Sequence, residues 1–220
     1  ALAAHISPQD EELRQTCIRA ASLAKADLLT GIVGEFPELQ GVMGGEYAKH
    51  DGESEAVSQA VREQYLPRAI EGELPKAVAG QVLSLADRLD TIAAFFHVGM
   101  VPTGSEDPFA LRRHATAIVR VLLEGQLRVN LGTYISQAMK GVSNDGFKNV
   151  SGFEREGLRQ ITEFVFERVR HYVRIVRGLR DDVIDSVLKS AYDTSVDLGD
   201  LVQKMTALEA VTRNPEFDPL

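Results

Sequence analysis

The sequence predicts an all-α chain. Apolar residues recur at spacings of three and four along most of its 220 residues. No stretch shows the period-two alternation that a half-buried strand needs. The breaks between periodic stretches are marked by Gly, Pro or Asp, residues that start and stop helices. Hydrophobic residues make up 44% and charged residues 25%, the proportions of a folded globular chain. No run of about 18 apolar residues is present, so no membrane span is expected. Residues 1–12 lack the basic start and apolar core of a signal peptide. The single cysteine, Cys17, rules out an internal disulfide framework and a Cys-rich zinc site. A reducing cytoplasm is the expected compartment. The chain begins without Met, so a processed chain or part of a longer one is expected.

The elements follow in order. Residues 10–30 place Leu13, Cys17, Ala20, Ala24 and Leu28 on one helical face. Residues 34–48, GEFPELQGVMGGEYA, read as a tight loop because glycines follow Phe36-Pro37. A helix over 53–66 follows Gly52 and stops at Pro67. The next, over 76–97, puts Val82, Leu83, Ala86, Leu89, Ala93 and Phe96 on one stripe. Asp107-Pro108 reads as an N-cap and first-turn proline for a helix reaching Gly125. A shorter helix is expected over 131–140, then a loop over 141–152. The longest helix is expected over 153–178, ended by Gly178, with two more at 180–191 and 198–212. Pro and Gly cluster at 101–108, which places a domain boundary there and divides residues 1–107 from 108–220.

The net charge of −8 hides a pattern. Residues 1–111 carry 8 Lys/Arg against 17 Asp/Glu, a balance of −9. Residues 112–180 carry 13 against 6, a balance of +7, and residues 181–220 carry 3 against 9, a balance of −6. A basic middle between acidic flanks is a local field suited to an anionic partner. Arg112 and Arg113 open it, and arginine forks suit phosphate oxygens. They suit ion pairs to the acidic N-terminal part equally. In the long helix, Arg170, Arg174 and Arg177 fall opposite a face formed by Ile161, Val165, Val169, Tyr172 and Val176. Those arginines are either an RNA or partner contact, or a solvated face complementing the helix dipole.

Candidate chemistry is sparse. His50-Asp51 has the form of a phosphohydrolase metal pair, but only His5 lies upstream, and a solvated turn is the expectation. Asp27 and Asp87 sit in apolar helical surroundings and need partners or a metal. Without imidazoles they make a poor metal site, so a polar network with Lys25 or Arg88 as counter-charge is expected. Cys17 lies on an apolar stripe, and no nucleophile elbow or phosphate-cradling glycine loop is present. No catalytic residue is therefore assigned.

Three of these stretches recur together in one family. LAKADLLTGIVGEFPELQGVMGGEYA and LADRLDTIAAFFHVGMVPTGSEDPFALRRHA closely resemble the beta subunit of bacterial-type glycyl-tRNA synthetase. The family pattern is K-A-D-L-x-T-x-M-V-x-E-F-P-E-L-Q-G-x-M-G, then A-D-K-L-D-T, then P-T-G-S-x-D-P-F-A-L-R-R. The chain departs mildly at Ile32, where Met is usual, and at Arg88, where Lys is usual; the likeness runs more loosely through the long helix and through residues 180–193. The resemblance implies an internal fragment of a longer subunit: an HD-like helical domain without its ligand histidines, followed by helices leading toward an anticodon-binding region. Asp27 and Asp87 would be relic metal positions. It implies an alpha2-beta2 ligase in which the alpha subunit joins glycine to tRNA(Gly) using ATP and Mg. The expected partners are tRNA(Gly), the alpha subunit and a second beta subunit, with no membrane and no cofactor in this fragment. Arg112, Arg113, Arg170, Arg174 and Arg177 are the expected RNA contacts. The alternatives are a residual metal-dependent phosphohydrolase and a pure subunit-interface module.

Overall fold

A computed structural model describes residues 1–144, 153–191 and 197–213. The described residues form helices and short 3-10 turns, with no strand beyond isolated bridges. None of these helices is long and apolar enough to cross a membrane. The chain divides into two compact units, Ala1–Arg88 and Leu89–Leu220.

The first unit holds α1 (Leu2–Ile6), α2 (Glu11–Leu23), α3 (Gly31–Glu35), α4 (Val42–His50), α5 (Glu55–Glu63) and the start of α6 (Val78–His97). Short 3-10 turns at Ala26–Leu29 and Pro37–Leu39 flank α3. The carboxylate of Asp10 caps α2 by accepting from the Leu13 amide at 2.8 Å, and Ser54 caps α5 in the same way. Each cap satisfies an amide that the helix leaves unpaired. α5 packs on both α2 and α4, burying Cys17, Ala20, Ala48, Val57, Ala60 and Val61.

The helix expected over 10–30 stops at Leu23, because Lys25 turns left-handed at φ 64°. The loop expected over 34–48 is instead α3, a 3-10 turn and α4. Two of its glycines, Gly44 and Gly45, serve packing rather than looping. A Cβ on Gly45 would lie 2.8 Å from the Arg62 Cβ and 3.0 Å from the Ser58 carbonyl oxygen. A bare backbone there lets α4 press against α5. His50-Asp51 closes α4, with His50 Nδ1 3.2 Å from the Asp51 carboxylate and both side chains exposed.

The second unit holds the rest of α6, then α7 (Leu111–Glu124), α8 (Leu131–Asn144), α9 (Phe153–Arg177), α10 (Asp181–Ala191) and α11 (Leu198–Thr212). α9 packs against α7, α8 and α10, and α11 against α7 and α10. The buried face of α9 is Ile161, Val165, Phe166, Val169, Tyr172 and Val173. Val176, expected on that face, is 58% exposed; the face ends at Val173, one turn short of the helix end. Gly178 at φ 65° terminates α9 as expected. The Pro/Gly stretch 101–108 lies inside this unit, because α6 beyond Arg88 packs with it, Phe96 lying 5.2 Å from Phe164 between ring centroids. α8 runs on to Asn144, and the remainder of the loop expected over 141–152 lies outside the described residues.

Candidate functional site

Asp27, 3% exposed, is held by donors from two sides. Its carboxylate accepts the Gly41 amide at 2.6 Å and the Tyr65 hydroxyl at 2.9 Å. Gly41 reaches it at φ 74°, and a Cβ there would meet the Arg62 carbonyl oxygen. Burial, and next the bond to Asp27, push the Tyr65 phenol well above its ordinary range. Asp87 pairs with Lys25 Nζ at 2.5 Å, and the Lys25 amide donates to the buried Gln64 side chain at 3.0 Å.

Arg88 lies within electrostatic reach of Asp87, as considered for it, and its hydrogen bonds give it a further task. Buried, it donates to the carbonyls of Gln64 (3.3 Å), Ser84 (3.1 Å), Tyr65 (2.9 Å) and Pro67 (3.1 Å), and to the Ser84 hydroxyl (2.7 Å). Burial brings its pKa down to about 10, which leaves it charged at neutral pH. Lys25 pairs directly with Asp87, and Arg88, also within reach of Asp87, ties down the 64–67 turn. Among the described residues no group of three His, Cys, Asp or Glu is placed to hold a metal ion. Both carboxylates of that reading are engaged within the chain, Asp27 by Gly41 and Tyr65 and Asp87 by Lys25.

The second cluster begins at the 103–110 loop. The N-cap residue of α7 is Ala110 rather than Asp107, and Pro108 lies before the helix instead of in its first turn; the Asp107 side chain still serves the first helical amides from three residues upstream. Its carboxylate accepts from the Leu111 amide at 2.7 Å and the Arg112 amide at 3.0 Å. The Arg112 guanidinium donates to the carbonyls of Gly104 (2.7 Å) and Glu106 (3.1 Å), bracing the loop without meeting a carboxylate. Arg113 is exposed.

The third cluster is the C-terminal half of α9. Arg170 pairs with Asp185 at 2.7 Å and Arg174 with Asp181 at 3.8 Å, both acids on α10. Arg177 is exposed and within electrostatic reach of the Tyr172 hydroxyl, together with Glu124 and Arg120. Arg112 and Arg113 lie in the first turn of α7, and Arg170, Arg174 and Arg177 in the last turns of α9. What the sequence did not reveal is Phe109, whose ring stacks on Phe95 with centroids 4.3 Å apart. The only signal was an aromatic residue in the braced motif.

Comparison with known proteins gives one consistent result. The family model described as glycyl-tRNA synthetase beta subunit matches residues 1–189. The glycine–tRNA ligase beta subunit of Clostridioides difficile (strain 630) is 46% identical over 181 residues, 82% of this chain and 25% of that protein. That of Shouchella clausii is 41% identical over 206 residues, 93% of this chain and 29% of its own. That of Desulforamulus reducens is 41% identical over 211 residues, 96% and 30% respectively. The chain thus spans between a quarter and a third of the length of these relatives.

Proposed function

Because the chain belongs to the glycyl-tRNA synthetase beta subunit family, we propose that it is a non-catalytic, tRNA-contacting and scaffolding segment of glycine–tRNA ligase. In this reading the alpha subunit makes the glycyl-adenylate from ATP with Mg and transfers glycine to tRNA(Gly). The beta segment positions the RNA within an alpha2-beta2 assembly in the cytoplasm. One observation carries the RNA part: Arg113 and Arg177 are exposed, and neither forms a side-chain ion pair among the described residues, in a segment of 13 cations against 6 anions. Such arginines meet phosphates, which adds affinity and salt dependence without choosing sequence.

A second reading, that of a structural interface, is favoured for two positions. Arg170 and Arg174 already have carboxylate partners on α10. Exposed pairs of this kind contribute about 0–1 kcal/mol each, so a phosphate could compete for them, but their present role is to hold α9 to α10. The phosphohydrolase alternative has the least support, since Asp27 and Asp87 are taken up by Gly41, Tyr65 and Lys25.

The test is a pair of charge reversals in the full-length subunit assembled with its alpha partner. Arg113→Glu with Arg177→Glu should weaken tRNA binding and lower the salt slope by about one for each phosphate left unmet. Glycyl-adenylate formation and the melting temperature should be unchanged. Arg170→Glu with Arg174→Glu should lower the melting temperature first. Unaltered tRNA affinity at low salt in the first variant would end the RNA reading.

A further inference from the structure

We propose that Phe109 is a stacking platform for an unpaired nucleotide, with Arg113 holding the adjoining phosphate. The proposal rests on the tRNA reading above and names the part of the RNA that this surface takes. Phe109 is 43% exposed, although one side of its ring lies on Phe95 at 4.3 Å between centroids and 29° between planes. An aromatic ring backed by a second ring offers a fixed flat surface. Stacking on such a ring suits any base, because every base has a π-face.

The surroundings hold the ring in place. Ala110, the next residue, is left-handed at φ 55°, a costly conformation for a residue with a Cβ. It is kept there by three backbone bonds: its amide donates to the Asp107 carbonyl at 3.1 Å, and its carbonyl accepts from the Arg113 amide at 2.9 Å and the His114 amide at 3.1 Å. The Arg112 guanidinium braces the preceding turn through the Gly104 and Glu106 carbonyls. These bonds bring Phe109 and Arg113 to the same end of α7. The helix terminus itself is not the anion site, since the Leu111 and Arg112 amides are occupied by Asp107. The charge comes from the Arg113 side chain, exposed and without a carboxylate partner among the described residues. An aromatic face and a guanidinium at the same end of a helix match a splayed-out nucleotide, which supplies both a base and a phosphate. The Glu106 carboxylate is also exposed nearby, which disfavours a run of duplex phosphates across the same loop.

The experiment uses the full-length subunit in its assembled enzyme and two probes: a glycine tRNA transcript, and a blunt acceptor-stem duplex without unpaired nucleotides. Phe109→Tyr should bind the transcript like the parent. Phe109→Leu keeps apolar bulk and so guards against misfolding; it should bind the transcript about tenfold more weakly, with an unchanged melting temperature, consistent with the usual cost of losing one stacked base. Neither substitution should alter binding of the duplex, and Arg113→Glu should weaken binding of the transcript. Parent-like affinity of Phe109→Leu for the transcript overturns the platform; the RNA reading then survives if Arg113→Glu still binds weakly, and falls with it otherwise. Loss of assembly with the alpha subunit in Phe109→Leu, with tRNA affinity intact, also overturns it and makes the surface a protein contact.

Discussion

Asp27 shows how much one side chain organises in the first unit. It closes a bond to a backbone amide 14 residues away and another to a hydroxyl 38 residues away. Asp27→Ala removes the acceptor from both donors, and stranding buried groups costs about 1–3 kcal/mol each. We expect a loss of about 3 kcal/mol or more in urea unfolding. Titration gives a second readout. The Tyr65 phenol, raised by burial and by Asp27, should ionise above the ordinary value of about 10 in an ultraviolet difference titration. Asp27→Asn should bring it down part of the way. The sign follows from linkage: a group whose folded pKa is raised stabilises fully below its unfolded pKa, so this contribution is complete below pH about 10 and is lost as pH rises further. The sequence made part of this legible. A buried Asp demands a partner, and Lys25 could be named as a counter-charge, although it pairs with Asp87 and not with Asp27. Tyr65 and Gly41 could not, because long-range partners leave no local spacing to read.

At the scale of elements, the amphipathic helices from α5 onward were legible within a few residues, because each carries a long apolar stripe. α3 and α4 were not. Glycine reads as a breaker in a local window, while its value here lies in what presses against it. A paired measurement separates the two effects. Gly→Ala inside a helix gains about 1 kcal/mol of propensity. At Gly34, where a Cβ would meet nothing within 4 Å, Gly34→Ala should raise stability by about 0.5–1 kcal/mol. At Gly45 the new methyl would push on Arg62 and the Ser58 carbonyl. Overpacking costs about 1–3 kcal/mol, so Gly45→Ala should lower stability despite the same gain in propensity. Thermal melts of both variants, opposite in sign, would check the argument. The Phe95–Phe109 stack was hidden for the same reason: its partners lie on different elements, joined by a loop whose course no periodicity describes.

For the whole molecule, the charge segregation was the most legible functional signal, since it needs only counting. What it could not give was pairing. Arg170 and Arg174 carry the same charge as Arg113 and Arg177, yet their neighbours on α10 have already claimed them. Assembly of the second unit has an order built into it. Arg128, just after α7, is paired with Asp197 and Asp200 at the start of α11, and α11 packs back onto α7. A nascent chain leaves the ribosome from its N-terminus at about 5–20 residues per second. α7, α8 and α9 must therefore wait for α11 before their core is closed, whereas the α2–α5 packing of the first unit is complete once α5 has emerged. Stalled at successive lengths, the nascent chain should gain protease resistance in its first unit well before residue 197 is exposed, and in its second only after α11 has cleared the tunnel.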